Sequence, residues 1–178
     1  MSFSSAAKNE LSRIIAEDRC CRIAELSAII RMGGIVRFHG SQNVSLRIVT
    51  ENAAIARKLF SLLKGLYGLN IAIMVKRNKH LKKNNSYILE ITTAMGAEKV
   101  LQETGVLTRE QNNGVELNYG VPAGVAQRRC CTRAYLRGAF LGGGSVSNPE
   151  KAYHLEFVTE SSQHAEDLKE LINGFGLN

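Results

Sequence analysis

The chain has 178 residues, 44% of them hydrophobic, and its 23 basic residues against 16 acidic ones give it a formal net charge of +7. This length and composition suit a soluble globular protein of one medium domain, or of two small repeats that share a core. No apolar run approaches the about 20 residues of a membrane span, and the N-terminus is not a signal peptide, so we expect a cytoplasmic location and no membrane partner. The charge favours a polyanionic partner without requiring one.

Helical and strand periodicities alternate in the first half of the chain. Apolar residues recur at helical spacing in residues 4–17, 22–32, 52–67 and 94–104. We expect Ser4 or Ser5 to cap the first of these helices, Asn52 to cap the third and Gly68 to end it. Alternating segments predict two hairpins, one from residues 35–39 and 44–50 and one from residues 71–76 and 86–92.

In the first hairpin, alternation sorts the side chains onto two faces. The core face is predicted to hold Val36, Phe38, Leu46 and Ile48. The opposite face is predicted to hold Arg37, His39, Arg47 and Val49.

The second half begins with a polar segment, which we expect to be a linker over residues 108–121. A helix is predicted next, over residues 132–141. The segment that leads into it and the helix itself are basic, with Arg128, Arg129, Arg133 and Arg137. A hairpin over residues 145–147 and 152–159 comes next, and then a helix to Asn173 capped by Ser161 or Ser162.

The chain contains a duplication. Residues 26–36 align with residues 136–146 at an offset of 110, which pairs Ala28 with Gly138 and Gly33 with Gly143. Residues 46–51 align with residues 155–160 at an offset of 109, so two similar units are expected. Small side chains let helices approach closely, and we therefore expect the two helices to touch through Ala28 and Gly138. The predicted divisions are an N-terminal helix (1–19), a first repeat (20–107), the linker (108–121) and an incomplete second repeat (122–178).

Both copies of the duplicated helix resemble the LAGLIDADG motif of homing endonucleases. Essentially the whole chain, including the text around both motifs, is similar to the WhiA family of bacterial regulators, which carry a degenerate LAGLIDADG domain followed by a helix-turn-helix domain. That second domain has no counterpart here, so we expect this chain to be a piece of a longer protein. Repeat and resemblance together predict an α+β fold of two pseudo-twofold-related αββαββα repeats, packed through their motif helices, with the second repeat truncated.

The resemblance also bears on catalysis. In an active LAGLIDADG enzyme each motif helix ends with an acidic residue that holds a divalent metal beside the scissile phosphate, because hard cations need oxygen ligands. The matching positions here are Gly33 and Gly143. We therefore predict that the chain is not an enzyme and binds no catalytic metal or other cofactor. Glu25, Asp18 and Glu150 could carry a metal, but no spacing supports it.

The cysteines form two vicinal pairs, Cys20-Cys21 and Cys130-Cys131, at equivalent positions of the two units. They lack the spacing of a zinc site, so we expect reduced and mostly buried thiols, with a site shared between the two units as the alternative. The histidines do not cluster with acidic residues at ligand spacing. His164 is expected to be solvated.

The remaining functional feature is a basic surface. The resemblance implies that the two sheets form a saddle over a DNA groove, with Arg37, His39 and Arg47 on its outer face. The tip of the second hairpin would contact phosphates through Lys76, Arg77, Lys79, Lys82 and Lys83. The alternative for this tip is a solvated loop. Glu156 occupies the position that matches Arg47, which weakens the DNA case in the second unit.

Two functions follow. The first is a catalytically inactive domain of a nucleoid-associated, DNA-binding transcription regulator that controls sporulation or cell division and binds double-stranded DNA weakly. The second is a protein-interaction or scaffolding module of the same regulator, in which the missing helix-turn-helix domain binds the DNA. Salt-dependent binding to duplex DNA distinguishes them.

Overall fold

A computed structural model of the protein describes residues 1–40, 43–77, 85–111 and 114–176. Its helices are α1 (Phe3–Leu11), α2 (Arg19–Gly33), α3 (Ala53–Tyr67), α4 (Ala97–Glu103), α5 (Arg129–Gly143) and α6 (Ser162–Asn173). Its strands are β1 (Gly34–His39), β2 (Asn43–Thr50), β3 (Ile73–Lys76), β4 (Ser86–Ile91), β5 (Leu107–Arg109), β6 (Val115–Leu117), β7 (Gly144–Val146) and β8 (Leu155–Phe157). The mixture confirms the α+β class, and α2 to α4 follow the predicted αββαββα order. The pseudo-twofold relation of the two repeats stays a prediction.

The first helix is shorter than predicted. It ends at Leu11 instead of residue 17, and Ser2 is its cap, because the Ser2 side chain accepts a hydrogen bond from the Ser5 amide. The Ser12 hydroxyl donates to the Lys8 carbonyl and competes with the backbone at the point where the helix stops. Ile14 and Ile15 beyond it are exposed, so they do not extend an apolar stripe.

The third predicted helix, over residues 52–67, has the predicted residues at both of its ends. The Asn52 carboxamide oxygen accepts hydrogen bonds from the amides of Ala54 and Ile55, at 2.8 and 3.3 Å. Gly68 ends the helix in the left-handed region with φ 66°. By contrast, the helix predicted over residues 94–104 is divided at Gly96, where φ is 91°. A 3₁₀ turn (Thr93–Met95) therefore precedes a shorter α4.

The main sheet has the antiparallel order β1-β2-β4-β3. One of its faces packs on α3 and α4 and forms the larger core, in which Leu46, Ile48 and Leu89 meet Leu59 and Leu101. We call the opposite face of β1, β2, β4 and β3 the outer face. Phe38 corrects the predicted core list, because it is 49% exposed. It lies on the edge strand beside the hairpin turn, where only one strand flanks it.

Part of the predicted linker is ordered as a small sheet. Residues 108–121 contain most of the hairpin of β5 and β6, with Thr108 opposite Glu116. A third sheet pairs β7 with β8; β7 has the predicted length but begins one residue earlier, and β8 is shorter than the predicted 152–159. The assignment of domain boundaries at residues 20, 108 and 122 remains a prediction.

The motif helices α2 and α5 pack against each other along their length. A Cβ added at Gly138 would collide with the carbonyl oxygen of Glu25 and would lie 2.9 Å from the Cβ of Ala28. A Cβ at Gly142 would lie 2.7 Å from that of Met32. The two backbones thus approach so closely that only glycine fits at these contacts. Within the described ranges, no helix is long and apolar enough to cross a membrane.

Candidate nucleic-acid interface

The outer face carries the side chains that the sequence predicted for DNA binding in the first unit. The register places Arg37 opposite Ser45, and Arg47 between Ile35 on β1 and Glu90 on β4. Paired residues in a sheet point to the same side, so these side chains share one surface. The structure therefore brings Arg37, Arg47 and His39 together as expected from alternation.

These three side chains differ in how available they are. Arg37 is exposed. The Arg47 guanidinium is half-buried, and its Nη2 lies 3.2 Å from Oε2 of Glu90, so its charge is partly offset across the strands. His39 is exposed, but its Nε2 lies 3.0 Å from the Ser45 hydroxyl. Arg37 is thus an exposed cation that forms no ion pair within the described residues.

The second hairpin contributes at the other edge of the sheet. Lys76 pairs with Ser86 at the end of β3, on the outer face, and Arg77 follows it; both are exposed. The remaining predicted tip residues, Lys79, Lys82 and Lys83, lie outside the described residues. The described cations therefore stand at opposite edges of the sheet, with Arg47 between them.

Apolar side chains lie between these cations. Ile35, Val49 and Met74 all point to the outer face and are 46%, 41% and 45% exposed. Helices on the other face cannot cover them. The outer face is therefore a mixed surface, which suits a protein partner as well as a nucleic acid.

In the second unit the corresponding sheet is smaller and carries an acid. Glu156 on β8 pairs with Ser145 on β7 and is exposed. Its Oε2 lies 3.9 Å from Nε2 of His154. The two units therefore do not present the same charge.

The ends of the motif helices differ in the space that they leave. A Cβ at Gly33 would meet no other atom within 4 Å. A Cβ at Gly143 would lie 2.5 Å from Cε of Met32 and 2.7 Å from the carbonyl oxygen of Val158. An acidic side chain has room at the end of α2 and none at the end of α5.

A buried ion cluster, which the sequence did not predict, joins three helices. Glu25 on α2 is fully buried; its Oε1 lies 2.8 Å from Nζ of Lys58 on α3. Arg137 on α5 donates from Nε and Nη2 to the two carboxylate oxygens, at 2.9 and 3.0 Å. Glu25 is thus occupied by two cations and does not have the surroundings of a metal ligand. Arg137 points inward to Glu25 and therefore does not contribute to a basic surface at the start of α5.

One signal in the sequence pointed to this cluster. Lys58 lies three residues after Ile55 and four before Leu62, on the apolar stripe of α3. A lysine at such a position is buried only with a partner. Burial lowers the pKa of Lys58, and the Glu25 carboxylate opposes that shift. Its ammonium also donates to the carbonyl oxygen of Ile14.

His164 corrects the expectation of a solvated histidine. It is fully buried in the first turn of α6. Its Nε2 lies 2.8 Å from the hydroxyl of Tyr135, and its Nδ1 lies 3.1 Å from the hydroxyl of Thr159. The imidazole therefore fixes α6 and the loop before it against α5.

Comparisons with known proteins agree with this architecture. Residues 19–107 match the family model of the WhiA N-terminal LAGLIDADG-like domain, and residues 132–178 match the WhiA LAGLIDADG-like domain. The chain is 53% identical over 178 residues to the probable cell division protein WhiA of Alkaliphilus oremlandii, and 51% identical to that of Alkaliphilus metalliredigens. The alignments cover 99% and 100% of this chain but 55% and 56% of the relatives. The chain thus spans little more than half the length of these proteins.

Two solved structures share the fold. Full-length DUF199/WhiA from Thermatoga maritima superposes with a TM-score of 0.68 at 22% identity, over 98% of this chain and 51% of that one. The N-terminal LAGLIDADG domain of DUF199/WhiA gives 0.65 at 21% identity, over 98% of this chain and 75% of that one. With two family models matched in chain order and relatives about half identical over its whole length, the chain belongs to the WhiA family.

Proposed function

We propose that this chain is a catalytically inactive, homing-endonuclease-like domain of a DNA-binding transcription regulator that acts in cell division or sporulation. The relatives' name, probable cell division protein, supports the process. The observation that carries the DNA-binding part is the outer face, where Arg37 and Lys76 are exposed on a sheet whose other face is covered by helices. Such a face can lie along a duplex with its cations near the phosphates, in a nucleoid-associated role in the cytoplasm.

The charges on this face imply weak binding. Arg37, Lys76 and Arg77 are exposed, and Arg47 shares its charge with Glu90. Each phosphate neutralised contributes about −0.9 to the slope of log affinity against log salt. Three or four contacts give a slope of about −3 and an affinity in the non-specific range of ~10⁻⁴–10⁻⁶ M. Little sequence preference is expected, because Arg37 and Arg47 are the candidates for reaching base edges among the described residues of the outer face.

Fluorescence anisotropy with a labelled duplex over a range of salt concentrations tests this proposal. We expect Arg37→Gln combined with Lys76→Gln to flatten the salt slope by about 2, at about 0.9 per contact. The matched control is Arg57→Gln, since Arg57 is exposed on α3, on the other side of the sheet. Replacing Lys79, Lys82 and Lys83 with alanine tests the tip separately. An equal loss in the Arg57 control would contradict a role for the outer face.

The proposal includes the absence of nuclease activity. By resemblance, Gly33 and Gly143 replace the two acids, and the close approach of Met32 and Val158 to Gly143 leaves no space for a carboxylate there. Two metal-binding acids are needed for that chemistry. We expect plasmid DNA to stay intact with pure protein and magnesium or manganese. Specific cleavage that is abolished by a chelator would overturn this part.

A protein-interaction module is the second candidate, and the exposed Ile35, Val49 and Met74 favour it. In that case the helix-turn-helix domain that the family resemblance implies binds DNA, and the outer face binds a protein. The same titration separates the two functions. A folded chain with no salt-dependent affinity for duplex DNA would leave the protein partner as the better explanation of this surface.

A further inference from the structure

The four cysteines meet at the contact between the motif helices. Cys20 and Cys21 are the second and third residues of α2, and Cys130 and Cys131 hold the same places in α5. The Sγ atoms of Cys21 and Cys131 are 3.8 Å apart. The sulfurs of Cys20, Cys21 and Cys131 all lie within 4.8 Å of one another. The sulfurs of Cys21 and Cys130 and a carboxylate oxygen of the exposed Asp18 form a second group with the same spacing. Every sulfur thus has a close partner on the other helix.

Four of the six sulfur pairs lie at or near the spacing of a tetrahedral thiolate site, and Cys130 has to approach Cys20 and Cys131 to complete it. A Zn–S bond of about 2.3 Å gives a spacing of about 3.8 Å between sulfurs in a tetrahedron. The Cys21–Cys131 pair already has this spacing. The other three of those four pairs need to close by no more than about 1 Å to reach it. Cys130 is exposed and Cys20 is half-buried, so both can change rotamer without disturbing the core.

Burial of Cys21 and Cys131 disfavours thiolates, and the helix ends and an arginine near the sulfurs offset this cost. Both pairs lie in the first turn of a helix, where the amide groups and the helix dipole stabilise anions. Arg128 precedes α5, and its Nη1 lies 3.5 Å from Sγ of Cys20.

We propose that Cys20, Cys21, Cys130 and Cys131 bind one Zn²⁺ ion, which cross-links the first turn of α2 to the first turn of α5. Four Zn–S bonds form and four S–H bonds break, so about four protons are released for each ion bound. The centre then carries two negative charges, which Arg128 and the two helix termini offset. Soft thiolate ligands at tetrahedral spacing select zinc over magnesium or calcium.

This site is independent of the proposed DNA function. It lies at the N-terminal ends of the motif helices, whereas the outer face begins at the C-terminal end of α2. The Cα positions of α2 and α5 along the helix contact are set by packing at Ala28 and Gly138. A metal bound by the cysteines would therefore fix the N-terminal ends of α2 and α5 against each other. A variant that loses DNA binding should still bind the metal, and a variant that loses the metal should still bind DNA.

The test uses the whole chain, reduced and stripped with a chelator, and titrated with Co²⁺ and then Zn²⁺. We expect thiolate-to-cobalt charge-transfer absorption at a ratio of one ion per chain, bleached by Zn²⁺, with proton release in weak buffer. Thiol reactivity should fall when Zn²⁺ is added. The melting temperature should rise and should return to its first value when the chelator is added.

A substitution at an exposed cysteine removes a ligand without disturbing the packed core, so a change in metal binding does not reflect a folding defect. Cys130→Ser removes one ligand from an exposed position, and we expect the affinity for Co²⁺ to fall by more than the about 10–100-fold that outer-shell changes cause. Thr132→Ser in the same turn is the matched control and should bind like the unmodified chain. Circular dichroism checks that each protein is folded.

Three results would overturn the proposal. The first is a reduced and folded chain without thiolate–cobalt absorption. The second is a cobalt spectrum and affinity that Cys130→Ser leaves unchanged. The third is a chain in which Cys21 and Cys131 are joined by a disulfide even when it is purified without oxygen and with zinc present.

Discussion

The carboxylate of Glu25 lies in the contact between three helices, with Lys58 and Arg137 as its partners. Side chains of this kind stabilise a fold only as a complete set, because each ion alone would have to be stripped of water. The cluster therefore specifies how α2, α3 and α5 fit together. It gives no evidence of net stability compared with an apolar core.

Replacing Glu25 with glutamine should lower the free energy of unfolding by about 3–5 kcal/mol, since two buried cations lose their counterion. Urea denaturation at neutral pH measures it. The control is Glu166→Gln, which removes the acid of the exposed Glu166–Lys169 pair and should change the free energy by less than about 1 kcal/mol. Similar losses in the two variants would contradict the importance of burial.

His164 makes the stability depend on pH. Burial lowers its pKa from 6.5 to about 4; Arg31 on α2 adds to the shift and Asp167 on α6 opposes it. Because the folded pKa lies below the unfolded one, the unfolded state binds the extra proton first as the pH falls. The free energy of unfolding should therefore decline from about pH 6.5 to about pH 4, by about 3 kcal/mol, and level off below that.

Urea midpoints measured across this pH range check the decline. The variant His164→Gln is expected to be less stable at neutral pH, because the hydroxyls of Tyr135 and Thr159 lose their partner. It should also have a flatter profile between pH 6.5 and 4. A decline of the same size in the variant would assign the pH effect to other groups.

At the scale of elements, the close approach of α2 and α5 decides which substitutions are tolerated. Gly138→Leu should be severely destabilising, by ~1–3 kcal/mol or more, because the added atoms have to displace the backbone of Glu25 and the side chain of Ala28. Thermal or urea unfolding measures this. An unchanged melting temperature would count against the helix contact.

A glycine in an open part of a helix is the matched control. Gly65 is exposed in α3, and a Cβ there would meet only Nη1 of Arg22 at 3.9 Å. Gly65→Ala should raise the free energy of unfolding by about 0.5–1 kcal/mol, because alanine loses less backbone entropy in a helix. Opposite signs at Gly65 and Gly138 would separate helix propensity from packing.

At the scale of the whole molecule, the two motif helices place Gly33 and Gly143 in different surroundings. Gly33→Asp should be tolerated, whereas Gly143→Asp should lower the free energy of unfolding by about 1–3 kcal/mol through overpacking. We expect the double variant to leave plasmid DNA intact with magnesium, because the strained second position cannot hold an acid in the required geometry. Differential scanning calorimetry and a plasmid assay test the two parts. Metal-dependent cleavage by the double variant would contradict this expectation.

The sequence alone determined the features that depend on local patterns. Helical and alternating periodicity predicted α2, α3 and the first hairpin, and Asn52 and Gly68 predicted both ends of α3, because caps act through residues a few positions away. The spacing of small residues pointed to the contact of α2 with α5. The duplication and the motif pointed to the family.

The tertiary structure decided what depends on residues far apart in the chain. Glu25 meets Arg137 and Tyr135 meets His164 only after α2, α5 and α6 have packed. Local patterns carry no information about such pairs, since a charged or polar side chain is read as solvated unless its partner is known. The exposure of Phe38 was likewise set by an uncovered sheet edge, because alternation assigns a face and packing decides whether anything covers it.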